Sequence, residues 1–245
     1  MSGTIILIDG VAGCGKTTVL CGMPGPRAIL DTDVDGSRWL REHFEYYESQ
    51  RDIQGAKRLL TQWSDNPKIA SIAVDVWAYF WQQVAMQVID GGGNTFRAWG
   101  PAKMSIKKLY DPLMRAKKAG KHICLTAHTK EDLKQGEDKQ VEKMGLKADS
   151  EAMLNDLLDV HLRMTWNVRA DTRRFETVKC RPQRDWKPLL PRAIEIPREQ
   201  SHLMYPQLLA LIGESPAVIA NGDSESEDVA AQAAMKQAAQ AAGGR

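Results

Sequence analysis
The sequence has no long apolar run. None of its hydrophobic stretches approaches the roughly 18 to 20 residues of a membrane-spanning helix, so no membrane role is expected. The opening "MSGTIILIDG" puts no basic segment ahead of its short apolar run, which argues against a signal peptide and for a cytoplasmic chain. Cysteine is sparse. Cys14, Cys21, Cys124 and Cys180 lie far apart without CxxC spacing, a pattern of reduced thiols rather than of disulfides or a zinc site. Net charge is nearly absent, +2 over 245 residues, so bulk electrostatics makes no case for nucleic acid. Its distribution says more. His161 to Arg198 carries ten Lys or Arg against four Asp or Glu, whereas the stretch from Glu214 onward carries five acids against two bases.

What is present is a globular composition, 43% hydrophobic and 26% charged, in a length that suits one sizeable α/β core. The apolar runs Thr4–Asp9, Arg27–Asp31, Ile69–Asp75 and His122–Ala127 have the length and continuity of strands buried on both faces. Helical periodicity falls at Lys16–Gly22, Ser37–Tyr47, Ile53–Trp63, Trp77–Ile89 and Ala102–Ala119, the last stopping at Gly120. This alternation predicts a mainly parallel sheet with helices on both faces. Farther on, "LLDVHLRMTWNV" and "RRFETVKC", separated by "RADT", predict an antiparallel hairpin extending the sheet, and Ser201–Ile212 a final helix. From Glu214 the chain has no aromatic residue and no leucine, too little apolar surface to offset its ordering entropy. Residues 1–213 are therefore expected to form the core and 214–245 a disordered, acidic and alanine-rich tail.

The stretch "IILIDGVAGCGKTT", Ile5 to Thr18, runs a buried strand into a glycine-rich turn and a lysine. Gly10, Gly15, Lys16 and Thr17 fit G-x-x-x-x-G-K-[ST], with a strand before and a helix after, the context the motif requires. Glycine allows a turn tight enough to aim successive N–H groups inward, and a helix start favours an anion. Gly10, Gly13, Cys14, Gly15, Lys16, Thr17 and Thr18 are thus the expected phosphate cradle for ATP or GTP. Lys16 would reach the β- and γ-phosphates, and the Thr17 hydroxyl would join a Mg²⁺ shell.

That ion also needs an anionic ligand, which "IASIAVD" offers in Asp75 at a strand end. Hydrolysis needs a group to orient water and one to sense the γ-phosphate. "LDTDVDG" offers Asp31, Asp33 and Asp35, with capping or turn roles as the alternative; "TAHT" offers Thr126 and His128, with a structural histidine as the alternative. In a parallel α/β sheet all these strand ends lie on one edge.

The order of phosphate loop, "ILDTD", "IAVD", "ICLTAH" and a hairpin ending in "KCR" resembles the RecA-like ATPases over roughly Thr4 to Arg198. It looks most similar to small phage proteins of that superfamily, AAA-type nucleotide-binding proteins and RecA-like single-strand annealing proteins. The resemblance implies a RecA core, ATP as substrate and single-stranded DNA as partner. It makes Asp75 the Walker B acid, His128 the sensor, and Asp33 the occupant of a position where RecA-like enzymes commonly carry a catalytic glutamate. Lys179 and Arg181 would be the K-x-R pair that reaches a neighbouring subunit's ATP in a homo-oligomer, ring or filament; two exposed bases on an edge strand is the alternative.

The same resemblance points to two DNA-contacting segments. "DGGGNTFRAWGPAKMSIKK" mixes stacking surface and cations in Phe96, Arg97, Trp99, Lys103, Lys107 and Lys108, as single-strand binding requires. "KEDLKQGEDKQVEKMGLKADS" reads as a long charged loop, ordered by a partner or simply solvated. Two other functions stay open: a phosphate-loop kinase of a small metabolite or nucleotide, and a nucleotide-gated adaptor with little turnover.

Overall fold
The computed structural model describes residues 3–33, 36–91, 96–135, 141–181 and 190–212; of residues 96–98, 132–135 and 141–145 only the backbone path is described. Asp35 and the expected tail lie outside these residues. The first strand, β1 (Ile5–Gly10), is buried at every position, which is why its apolar run is continuous rather than alternating. Its neighbours are β2 (Arg27–Asp31), β3 (Tyr46–Ser49), β4 (Ser71–Asp75), β5 (His122–Gln135), β6 (Val141–Ala148), β7 (Val160–Asn167), β8 (Thr172–Cys180) and β9 (Ala193–Pro197). The sheet runs β3-β2-β4-β5-β1-β7-β8-β9, parallel from β3 to β7 and antiparallel through β8 and β9, with β6 paired antiparallel to β5.

One strand, β5, separates the phosphate-loop strand from the strand that ends in Asp75. With all six parallel strands pointing the same way, the register sets Gly10 opposite His128 and Asp31 opposite Asp75. The result is a mainly parallel sheet with an antiparallel extension.

Both faces are covered. Leu7, Leu30, Val74 and Leu125 pack on one side with Leu60, Phe80, Ile106 and Leu113 from the helices α2 (Ile53–Asp65), α3 (Ala78–Asp90), α4 (Phe96–Lys107) and α5 (Tyr110–Lys118). Ile6, Ile8, Ile29 and Cys124 face the opposite way, against α1 (Lys16–Leu20) and α6 (Met204–Leu211). In α2 the Asp52 carboxylate accepts from the Gly55 N–H at 2.8 Å, while Ile53, Ala56, Leu60 and Trp63 recur at helical spacing and are buried.

Four sequence expectations change. The helix expected over Ser37–Tyr47 is a 3-10 segment, Arg38–His43, followed by β3. Asp31 accounts for this by accepting from the Ser37 N–H at 3.0 Å and the Tyr47 hydroxyl at 2.5 Å, which draws Tyr46 and Tyr47, good strand formers, against β2. The helix expected over Ala102–Ala119 is two, because Pro112 lacks an N–H and its ring would strike the carbonyl of Lys108; it is tolerated in the first turn of α5. Of the charged segment read as a loop, residues 130–135 belong to β5 and 141–148 to β6, which pair antiparallel with a register shift at Asp132/Leu133. Finally β9 pairs along β8, and the last helix begins as a 3-10 segment, Arg198–Leu203.

Candidate nucleotide site
The loop after β1 closes tightly against β7. A Cβ on Gly10 would lie 2.6 Å from the Met164 carbonyl oxygen and 2.8 Å from the Cys14 sulfur, so the approach requires glycine. Gly15 caps α1 with a left-handed backbone, φ 101°, and Gly13 shares that region. Lys16 is buried, and its ammonium donates to the Gly10 and Val11 carbonyls, each at 2.9 Å. Those bonds hold a compact cation at the floor of the loop, where an anion would find it.

Thr17 donates its hydroxyl to Asp75 Oδ2 at 2.8 Å, and the Thr126 hydroxyl donates to the other carboxylate oxygen. Burial pushes the Asp75 carboxyl above its ordinary range, against the pull of those two hydroxyls. A buried carboxylate beside a threonine hydroxyl is a pair of hard oxygen ligands, a donor set that fits Mg²⁺. The strand ends are stitched by Thr32, whose hydroxyl donates to the Val76 carbonyl at 2.7 Å and accepts from its N–H at 2.8 Å.

Asp33 accepts from the Tyr79 hydroxyl at 2.8 Å, with Arg51 Nη2 3.8 Å from the same carboxylate oxygen and the Arg51 guanidinium over the Tyr79 ring at 5.2 Å. His128 meets Tyr79 edge-on at 6.5 Å; burial, then the charge of Lys16, holds its imidazole below the usual histidine range. Gly13, Lys16, Thr17, Asp33, Asp75 and His128 line one cavity of about 740 Å³. The sequence alone pointed to each of these residues.

It did not point to Arg173. This residue stands on β8 beside Trp166 of β7, is 5% exposed, and leans over the phosphate loop: a Cβ on Gly15 would lie 3.2 Å from its Nε. The "RADTRRF" turn supplies it, yet nothing local distinguishes Arg173 from Arg174, whose guanidinium lies on the other side of the strand, paired with Glu176 and Glu195. Beneath the loop, Asp9 is fully buried and receives Arg163 Nη2 at 2.9 Å with His161 3.5 Å away. Burial would raise this carboxyl, but the bonds from His161 and Arg163 outweigh it and hold it low.

A family model for the AAA domain matches residues 2–186. The chain belongs to the AAA domain family. Its fold, a mainly parallel helix-flanked sheet with a phosphate loop after the first strand, is that of an α/β P-loop domain. No curated protein matches it. Among solved structures, the crystal structure of the RadB recombinase is similar over 74% of this chain and 82% of that chain, with a TM-score of 0.48 and 14% identity.

In this AAA domain the expected K-x-R pair stands away from its own phosphate loop. Lys179 pairs with His161 near the far end of β7, and Lys179 and Arg181 donate to the carbonyls of Asn155 and Asp156. Trp99 of α4 packs on Trp81 of α3, centroids 5.7 Å apart at 31°, while Lys103, Lys107 and Lys108 are exposed. The side chains of Phe96 and Arg97 lie outside the described residues. Beside the tryptophan pair a second cavity, about 560 Å³, is lined by Trp81, Lys103, Lys130, Lys147, His161 and Arg163. Part of that charge is already matched, since Lys130 meets Asp149 at 2.5 Å and Arg163 meets Asp9. Among the described residues no helix is long and apolar enough to cross a membrane, and all four cysteines are free thiols.

Proposed function
We propose that the chain binds and hydrolyses ATP with Mg²⁺ as a homo-oligomer acting on single-stranded DNA, in phage or mobile-element recombination or replication, in the host cytoplasm. Residues 1–213 are the working unit. The observation that carries the reading is the meeting of Lys16, Thr17 and Asp75 in one cavity whose far wall holds Asp33 and His128. Loop N–H groups and Lys16 bind and neutralise the phosphates, and Thr17 with Asp75 holds the metal. There Mg²⁺ would supply neutralisation of the phosphate charge. Asp33, oriented by Tyr79, accepts the proton of the attacking water, and neutral His128 reads the γ-phosphate. Lys179 and Arg181 reach a neighbour's nucleotide once released from the Asn155 and Asp156 carbonyls. The Trp81–Trp99 pair and the exposed lysines of α4 support a single-strand contact by stacking and charge.

Asp33 also favours a second reading, an adaptor that binds ATP and turns it over slowly. Its Oδ1 is already engaged by Tyr79 and neighboured by Arg51. Steady-state ATP hydrolysis with and without single-stranded DNA separates the two. DNA-stimulated turnover is expected; nucleotide-dependent assembly without turnover selects the adaptor, and neither turnover nor DNA binding overturns the proposal.

A further inference from the structure
Among the described residues Arg173 is a buried cation without a salt-bridge partner. Its Nε and Nη1 are buried and have no hydrogen-bond partner among the described residues, and no carboxylate there pairs with it. Arginine does not shed its proton in a protein, so neutralisation cannot relieve the burial. A buried, unpaired charge is among the more costly features a fold can keep, and a fold keeps it where an anion will arrive.

The surroundings say where that anion sits. The guanidinium leans on Gly15, with Nε and Nη2 within 3.2 and 3.3 Å of where a Cβ there would lie, and it lines the same cavity as Lys16, Thr17 and Asp75. It is also held in place. The Trp166 ring lies under it at 4.4 Å, and Arg198 reaches the same ring at 5.4 Å. Arg198 is fixed in turn by its N–H, which donates to the Asp171 carbonyl at 3.0 Å. A planar fork on an aromatic ring, its donors unspent and beside a phosphate loop, is preorganised for a phosphoryl oxygen.

We infer that Arg173 is a phosphate-binding residue of the nucleotide site, supplied in cis by the β7–β8 hairpin and held there by Trp166. This rests on the reading of the loop as a nucleotide site and adds a ligand from an element outside the phosphate-loop motif. It also divides the labour between cations: Arg173 binds phosphate in each subunit alone, whereas Lys179 and Arg181 require a neighbour.

The test is equilibrium binding of MgATP, MgADP and inorganic triphosphate to the full-length protein and to Arg173→Gln and Arg173→Lys, at three salt concentrations, alongside thermal unfolding without nucleotide. Arg173→Gln should weaken all three ligands by about 10- to 100-fold, the range of a charge-assisted hydrogen bond, and flatten the salt dependence. Arg173→Lys should retain part of the affinity. Without nucleotide Arg173→Gln should unfold at or above the wild-type temperature, because it removes an unpaired buried charge; a merely structural arginine would give a lower one. Wild-type affinity in Arg173→Gln, or a loss confined to a variant that also unfolds early while Arg173→Lys binds normally, overturns the inference alone. A wild-type protein that binds none of the three ligands overturns the nucleotide reading as well.

Discussion

At the residue scale the site is a set of largely buried polar groups. Asp75 is the clearest case: burial opposes its charge, and the Thr126 and Thr17 hydroxyls and the charge of Lys16 offset that only in part. Asp75→Asn should therefore raise the stability of the nucleotide-free protein by about 1 kcal/mol, since an uncharged isostere escapes the cost of burial. Denaturant unfolding with and without MgATP checks it: only the wild type should gain stability from the ligand. Gly10→Ala should act in the opposite direction, because its Cβ has a backbone carbonyl at 2.6 Å that cannot move aside cheaply. A loss of roughly 1–3 kcal/mol is expected, the usual cost of overpacking, again read by denaturant unfolding. His128 sets a pH dependence. Its folded-state pKa lies below the ordinary 6.5, so as pH falls through that value the unfolded chain takes up the proton first and stability declines. His128→Gln should make the decline between pH 7 and 5 shallower; His122, also held low by burial, keeps part of the slope in the variant.

At the scale of elements, what could be read in the sequence was what the chain writes locally. The phosphate loop is one contiguous turn whose glycines act through the backbone and whose lysine and threonine act through side chains on that same turn, so its motif is complete in the sequence. The buried central strands declared themselves by continuous apolar runs. Arg173 did not, because its role depends on the β7–β8 register, which sets it beside Trp166 and over a loop about 160 residues earlier in the chain. β3 was hidden because a side chain, Asp31, fixes Tyr47 from across the strand pair, and the break between α4 and α5 turned on one proline. Charge density misled at β5–β6, where it reads as solvated loop but belongs to an antiparallel strand pair. The α4 face carries a testable share of the proposal. Replacing Lys103, Lys107 and Lys108 together with alanine should reduce the salt slope of single-strand binding by about 2, at roughly 0.7 per phosphate contact. Fluorescence titrations of labelled oligonucleotide across salt would measure it; an unchanged slope places the DNA elsewhere.

At the scale of the whole molecule the active site is proposed to be shared. One copy brings Lys16, Thr17 and Asp75, and the next brings Lys179 and Arg181 from the far end of β8. Two variants that are each inactive, Lys16→Ala and the double Lys179→Ala, Arg181→Ala, should complement when mixed. Random assembly would restore roughly a quarter of the interfaces. Hydrolysis that stays absent in the mixture would put the K-x-R pair to structural use only.

The central claim is that this sheet edge holds a magnesium nucleotide, and calorimetric titration of MgATP into the full-length protein tests it most directly. Saturable binding is expected, one nucleotide per chain, strengthened by Mg²⁺ and abolished by Lys16→Ala. Absence of binding, or equal binding by Lys16→Ala, would contradict it.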